Sequence, residues 1–114
     1  MNAAHSQQSR AEESDVEIRA FRGTERSSVY RECVVPIELF RRLLATGESR
    51  GLRSLSALDP YGPHKLDREH AKQFAEDVAV VQDTVNEPRF AEIVAVARWC
   101  AHSTAKSWLR IVGR

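Results

Sequence analysis

The chain has 114 residues, of which 42% are hydrophobic and 29% are charged, and its formal net charge is +1. This length favours a single domain with one core, and the composition is typical of a globular protein, not of a disordered or membrane-spanning one. The near-neutral charge argues against nucleic acid or an anionic membrane as partner, because both usually select a pronounced basic excess. The sequence has no apolar run of ~18 residues and no signal-peptide-like start, so we expect a cytoplasmic protein that does not enter a membrane.

The N-terminal part of the sequence predicts a tail followed by two strands. Residues 1–14 are mostly polar, which predicts a flexible tail before a single compact domain over residues 15–114. From Asp15 to Phe21, aliphatic residues alternate with charged or aromatic ones, a pattern that indicates a strand with one buried face. The segment Val29–Val35 is rich in β-branched and aromatic residues and is predicted to be the second strand.

The middle of the sequence predicts a helix, a strand and a turn. Pro36 suits the first turn of a helix that we expect to reach about Ala45, with Gly47 as its C-terminal stop. Hydrophobic residues alternate with serines in Gly51–Leu58, which favours a short strand. The segment Asp59–Pro63 combines Asp, Pro and Gly, so we expect a tight turn without regular structure.

The C-terminal part predicts a helical hairpin and a last strand. Asp67 can cap a long helix in which apolar residues recur at spacings of three and four, and a second helix begins at Pro88 after a joint near Asn86. The aromatic and β-branched segment Trp108–Val112 is predicted to be a strand. The order β-β-α-β-α-α-β indicates an α+β fold in which three helices cover one face of a small mixed sheet of about four strands.

The two cysteines, Cys33 and Cys100, lie within apolar segments. A free thiol in such surroundings usually serves as a small buried hydrophobic group. We therefore expect both thiols to be buried and reduced.

The segment from Asp59 to His64 is the candidate site for a small ligand. A rigid turn there would hold a carboxylate, a phenol and an imidazole together, and nearby arginines could add phosphate recognition. The residues of this candidate site are Asp59, Tyr61, His64, Arg53 and Arg68. The alternative is purely structural, because Asp, Pro and Gly are also what a tight connection requires.

The sequence does not indicate a metal site, a cofactor or catalytic residues. His64 and His70 are six residues apart across a predicted helix start, which is not the i, i+4 spacing that places two ligands on one helical face. The chain also lacks a G-x-S-x-G elbow, a glycine-rich phosphate loop, a C-x-x-C pair and an H-E-x-x-H motif. We expect a protein without enzymatic activity.

A run of arginines could contact phosphate groups, but its context does not indicate nucleic-acid binding. These residues are Arg41, Arg42, Arg50, Arg53 and Arg68. No helix-turn-helix signature accompanies them, and aromatic residues do not interleave with them as they do in base-stacking surfaces. We expect nucleic acid not to be the partner.

The last strand predicts an interaction surface. If Leu109 and Ile111 face the helices, then Trp108, Arg110 and Val112 lie on the opposite face of the sheet. That face would be partly apolar and accessible to a partner.

Two motifs resemble those of a group of small bacterial proteins that have no established activity. The segment L-R-S-L-S-A-L-D-P-Y-G precedes the helix pair, and W-L-R-I-V-G lies near the C-terminus; the group has a similar D-P-Y-G turn and an L-x-F-I-G ending. The chain departs from the group at Pro63-His64-Lys65 and at Arg114. The resemblance implies a bacterial, cytoplasmic α+β protein and supplies no mechanism.

Taken together, these observations favour a non-enzymatic protein–protein interaction module. An immunity-like, antitoxin-like or accessory factor of a bacterial conflict system fits the small size and the missing catalytic motifs. The alternative is a protein that binds a small ligand or a nucleotide phosphate through the segment from Asp59 to His64. The sequence leaves the oligomeric state open.

Overall fold

A computed structural model describes residues 15–23 and 29–113. The predicted tail, residues 1–14, lies outside the described residues, and so do residues 24–28 and residue 114. The elements, in chain order, are β1 (Asp15–Arg22), β2 (Val29–Pro36), α1 (Ile37–Ser49), α2 (Arg53–Ser56), β3 (His64–Asp67), α3 (Arg68–Val85), α4 (Pro88–Ala101) and β4 (Ser107–Gly113).

The four strands form one sheet in the order β2-β1-β4-β3. The predicted α+β class is confirmed, and the last strand, β4, is inserted between β1 and β3. Two details differ: all three pairings are antiparallel and not mixed, and the described chain has four helices in place of three. Strands β3 and β4 are antiparallel because the α3–α4 hairpin returns the chain to the end of the sheet at which β3 finishes. Trp108, near the start of β4, therefore lies opposite Asp67, the last residue of β3.

One face of the sheet packs against the helices and forms the core. Side chains on this face alternate with outward ones, as the period of two predicted, and they are Val16, Ile18, Ala20, Cys33, Val35, Leu109 and Ile111. The helices contribute three phenylalanines, Phe40, Phe74 and Phe90, which are all fully buried. A single core therefore lies between the sheet and α1, α3 and α4.

The predicted strand over Gly51–Leu58 is wrong, because the middle of this segment forms the one-turn helix α2. Leu52, Leu55 and Leu58 recur every third residue, and they all contact the core, with Leu55 fully buried. A period of three suits a helical turn, whereas alternation with serine suggested a strand. The third strand is instead β3 (His64–Asp67), which begins after the predicted turn and ends at the predicted cap Asp67.

Helix α1 continues past Gly47 to Ser49, so the predicted stop at Gly47 is also wrong. Gly47 is buried within the helix, where a Cβ atom would lie 2.6 Å from Cβ of Leu55. Gly47 is thus required for close packing of α1 on α2, and the chain leaves the helix at Arg50.

The predicted helical hairpin is confirmed, and so are its predicted cap at Asp67 and its predicted joint near Asn86. The backbone N–H of His70 donates to the Asp67 side chain at 2.8 Å, and Asn86 ends α3 in the left-handed conformation with φ of 59°. The Glu87 side chain accepts from the backbone N–H of Arg89 at the start of α4. No helix in the described chain is long and apolar enough to cross a membrane.

The Gly47→Ala substitution is expected to destabilise the protein. Overpacking typically costs about 1–3 kcal/mol, which exceeds the up to about 1 kcal/mol that alanine gains over glycine in a helix interior. We expect the upper part of that range, because the clash is with a Cβ atom that cannot rotate away. Chemical denaturation measures the change, and the exposed neighbour Glu48→Ala should stay within about 0.5 kcal/mol of the native protein. Equal stabilities of Gly47→Ala and native protein would contradict this packing.

Both cysteines are free and buried, as the sequence predicted. Burial raises the pKa of the Cys33 thiol to about 12 and also raises the pKa of the Cys100 thiol above its usual value. Since the thiolate is the reactive form, both groups are held in their unreactive state near neutral pH.

We therefore expect Ellman's reagent at pH 8 to label neither thiol rapidly in the native protein. Both thiols should react at once after unfolding in denaturant, when burial no longer raises their pKa. A fast-reacting thiol in the native state would show that one cysteine is accessible, and the Cys33→Ser and Cys100→Ser variants would identify it.

Candidate interaction surface

The face of the sheet that turns away from the helices forms three cross-strand rows of side chains, and we call it the outer face. The first row is Tyr30, Phe21, Trp108 and Asp67; the second is Glu32, Arg19, Arg110 and Lys65; the third is Val34, Glu17 and Val112. In the part of the chain that the structure describes, no helix packs over these rows. Within the described residues, the outer face is thus not covered by a helix.

The aromatic side chains of the first row contact one another across three strands. The rings of Phe21 and Trp108 are stacked, with centroids 5.1 Å apart and an interplanar angle of 15°. Phe21 also contacts Tyr30 at 5.9 Å and 41°. Such pairs add to stability beyond the area that they bury. Tyr30 is nonetheless 51% exposed, so the row leaves aromatic surface accessible to solvent.

The second row, which we call the charged row, has a neutralised cation at one end only. The Arg19 guanidinium donates from Nε to Oε1 of Glu32 at 2.9 Å, and its Nη2 forms ion pairs with Oε1 of Glu32 at 2.8 Å and with Oε1 of Glu17 at 3.5 Å. The hydrogen bond with Glu32 is the main cause that raises the pKa of Arg19 above its usual value. Arg19 also lies over the Tyr30 ring, 5.0 Å from its centroid.

The other end of the charged row holds two cations without a carboxylate partner. Among the described residues, neither Arg110 nor Lys65 forms a salt bridge, although Lys65 Nζ lies 5.3 Å from the centroid of the Trp108 ring. Arg110 lies directly between Arg19 and Lys65 in the register. Like charges in opposite positions on neighbouring strands repel one another, so this arrangement costs stability.

The outer face has a third carboxylate besides Glu17 and Glu32, that of Asp67, and it already interacts with His70. The backbone N–H of His70 and, less strongly, its ring lower the pKa of the Asp67 carboxyl below its usual value. The carboxylate therefore serves α3 as a cap and does not neutralise Arg110 or Lys65.

The structure places the predicted interface residues Trp108, Arg110 and Val112 together on the outer face, as the alternation predicted. Sequence reasoning did not associate them with Phe21 and Tyr30. The alternation in β1 and β2 indicates that these two rings point outward, but only the strand order places them beside Trp108.

The segment from Asp59 to His64 is held by its own hydrogen bonds. The Asp59 carboxylate accepts from the backbone N–H of Tyr61 at 2.8 Å, and Nε2 of His64 lies 2.9 Å from the backbone nitrogen of Asp59. The Tyr61 ring is 52% exposed beneath the guanidinium of Arg41. The predicted turn is present, and the polar groups of Asp59 and His64 stabilise it.

This turn is attached to the end of β4. The backbone N–H of Gly113 donates to the carbonyl of Tyr61 at 3.1 Å, and a Cβ atom on Gly113 would lie 2.5 Å from the carbonyl oxygen of Pro60. The D-P-Y-G turn and the C-terminal W-L-R-I-V-G segment therefore contact each other, and glycine is needed where their backbones meet.

The basic residues of the predicted ligand site line different cavities. Arg53 lines a cleft with Leu66 and His70, whereas Arg68 lines a hollow at the start of α3 and donates to the Ser103 carbonyl at 2.9 Å. His64 lines a third cavity. Among residues 15–23 and 29–113, no group of three or more His, Cys, Asp or Glu side chains could hold a metal ion.

Comparison with known proteins did not identify a relative of this chain. A scan against protein-family models found no match, and searches of curated proteins and of solved structures found none either. The resemblance to small bacterial proteins therefore stays a prediction, and geometry alone supports a function.

Removing the middle charge of the charged row is expected to stabilise the protein. The Arg110→Gln substitution relieves the repulsion from Arg19 and Lys65, and such cross-strand terms amount to about 0.2–1 kcal/mol. Denaturant unfolding at low salt measures the gain, which should shrink at high salt because the repulsion is then screened. The same substitution at Arg42, an exposed residue of α1, should change little. A loss of stability at Arg110→Gln would show that this side chain is held by favourable contacts.

Proposed function

We propose that this protein is a non-enzymatic interaction module that binds another protein through the outer face. The observation that carries this proposal is the row of contacting rings of Tyr30, Phe21 and Trp108 on the outer face of the sheet. Aromatic residues and arginine are enriched at the centres of protein–protein interfaces, where they contribute most of the binding energy.

The arrangement of the three rows supports a protein partner. Val34 and Val112 extend the apolar surface beyond the charged row, and Val34 is 36% exposed. A partner that covers the outer face would bury aromatic and aliphatic groups on both sides of a polar strip. This combination of apolar area with a few directional charges is typical of specific interfaces.

The charges of the outer face favour a protein over nucleic acid. Three carboxylates, Glu17, Glu32 and Asp67, lie on the same face as its three cations. A polyanion that spans the sheet would meet these carboxylates, whereas a protein surface can present both signs of charge. The aromatic side chains of the first row are therefore proposed to contact protein side chains and not stacked bases.

The biological role that fits this proposal is inhibition or assistance of the bound protein. A small domain with an open binding face suits an immunity-like or antitoxin-like factor, or an accessory subunit, of a bacterial conflict system. The alternative is a small-ligand or nucleotide-phosphate binder that uses the segment from Asp59 to His64. The internal hydrogen bonds of Asp59 and His64 provide this segment with a structural role instead.

Affinity capture with matched variants tests the proposal. The tagged protein is incubated with lysate of the cells that naturally produce it, and bound proteins are identified and quantified by mass spectrometry. We expect one stoichiometric partner whose recovery falls at least about tenfold with Tyr30→Ala, because interface aromatic residues contribute about 2 kcal/mol or more where they anchor a partner. Trp108→Ala should have the same effect.

The control is Tyr61→Ala, which removes an equally exposed tyrosine outside the outer face. It should leave capture unchanged, and thermal melts should show that all three variants are folded. Loss of capture with Tyr61→Ala alone would support the segment from Asp59 to His64, and capture that no variant alters would contradict the proposed function.

A further inference from the structure

We infer that the partner inserts the carboxylate of an Asp or Glu side chain between Lys65 and Arg110 on the outer face. This inference rests on the proposed function and specifies the chemistry that the partner presents. It is carried by a small cavity, by the unmatched charges beside it and by the strand register.

The cavity lies where β3 and β4 meet on the outer face. Its volume is about 190 Å³, and it is lined by Pro63, His64, Lys65, Trp108 and Arg110. Pockets for small molecules usually begin at about 300 Å³. The cavity therefore suits one side chain that belongs to a larger partner, with the Trp108 ring as an apolar wall for its methylene groups.

Among the described residues that line this cavity, the charged side chains without a salt bridge are Lys65 and Arg110, which are both cations. On the outer face, Glu32 and Glu17 lie at Arg19, and the Asp67 carboxylate accepts from His70. Lys65 and Arg110 are left without an acidic group within salt-bridge distance in the described chain. An incoming carboxylate would complete this end of the charged row, as Glu32 completes the other end.

The register makes binding of a carboxylate at this position more favourable than binding at an isolated cation. Lys65 and Arg110 are directly opposite each other, and Arg19 follows Arg110 on the next strand. The repulsion among these cations is present in the free protein and is relieved when an anion binds between them. The guanidinium of Arg110 can also form a bidentate pair with a carboxylate, which fixes the orientation of the partner.

Synthetic polymers test the inference without knowledge of the partner. The probes are a fluorescent random copolymer of glutamate and tyrosine, the matching copolymer of lysine and tyrosine, and single-stranded oligodeoxythymidine, all followed by fluorescence anisotropy. We expect the glutamate–tyrosine copolymer to bind most tightly. Its affinity should fall about tenfold or more with Lys65→Glu or Arg110→Glu, since hydrogen bonds to charged groups are the stronger ones.

The matched control is Arg42→Glu, which makes the same change of net charge on α1, away from the sheet. It should weaken binding far less than Arg110→Glu. Equal effects of the two variants would indicate attraction by net charge alone and would overturn the inference. So would the absence of binding by the glutamate–tyrosine copolymer, or tighter, Arg110-dependent binding of oligodeoxythymidine, which would assign the cavity to phosphate.

Capture from lysate separates this inference from the proposed function. If Tyr30→Ala and Arg110→Glu both abolish recovery of the partner, both are supported. If Tyr30→Ala abolishes recovery and Arg110→Glu does not, the outer face binds a partner without a carboxylate in the cavity, and only the inference fails. If neither variant alters recovery, both fail.

Discussion

The register of β1 is the constraint on which the rest of the structure depends. This strand pairs with β2 on one side and with β4 on the other, so its alternation is transmitted to most of the sheet. Val16, Ile18 and Ala20 are fully buried on the inner face. A slip of one residue would place Glu17, Arg19 and Phe21 against the helices, where burial of two charged groups would be strongly unfavourable. Burial of the inner face therefore also determines which side chains form the outer face.

The outer face is a consequence of strand order as much as of sequence. Phe21, Tyr30 and Trp108 are far apart in the chain, yet the order β2-β1-β4 places them in one row. The α3–α4 hairpin delivers β4 to the centre of the sheet, beside β1, and so brings Trp108 onto Phe21. The same insertion aligns Arg110 with Arg19 and Lys65. The position of β4 beside β1 thus produces both the contiguous aromatic surface and the repulsion within the charged row.

Much of this fold is predictable from the sequence, and the failures have physical causes. β1, β2, β4 and the helical hairpin have long, regular periods and clear caps, so pattern alone identifies them. In Gly51–Leu58 a period of two and a period of three overlap at Leu55, and the structure distinguishes them because Leu58 contacts the core whereas Ala57 is exposed. β3 has only four residues, and Leu66 is the only hydrophobic one among them, so the sequence shows no hydrophobic alternation that would identify this strand. For the site, the outward direction of Trp108 was predictable, but its neighbours depend on long-range pairing that sequence does not encode locally.

The two candidate sites differ in how far their polar groups are already satisfied. In the segment from Asp59 to His64, a ligand would have to compete with the internal bonds that hold the turn, and breaking them would cost about what the new contacts supply. Within residues 15–23 and 29–113, Arg110 and Lys65 form no salt bridge that a ligand would have to break, and their mutual repulsion raises the free energy of the unbound state. Binding sites often retain this kind of local destabilisation, because interactions left incomplete in the free protein are the ones that a partner can complete. These differences are the reason why the proposed recognition site is the outer face and not the segment from Asp59 to His64.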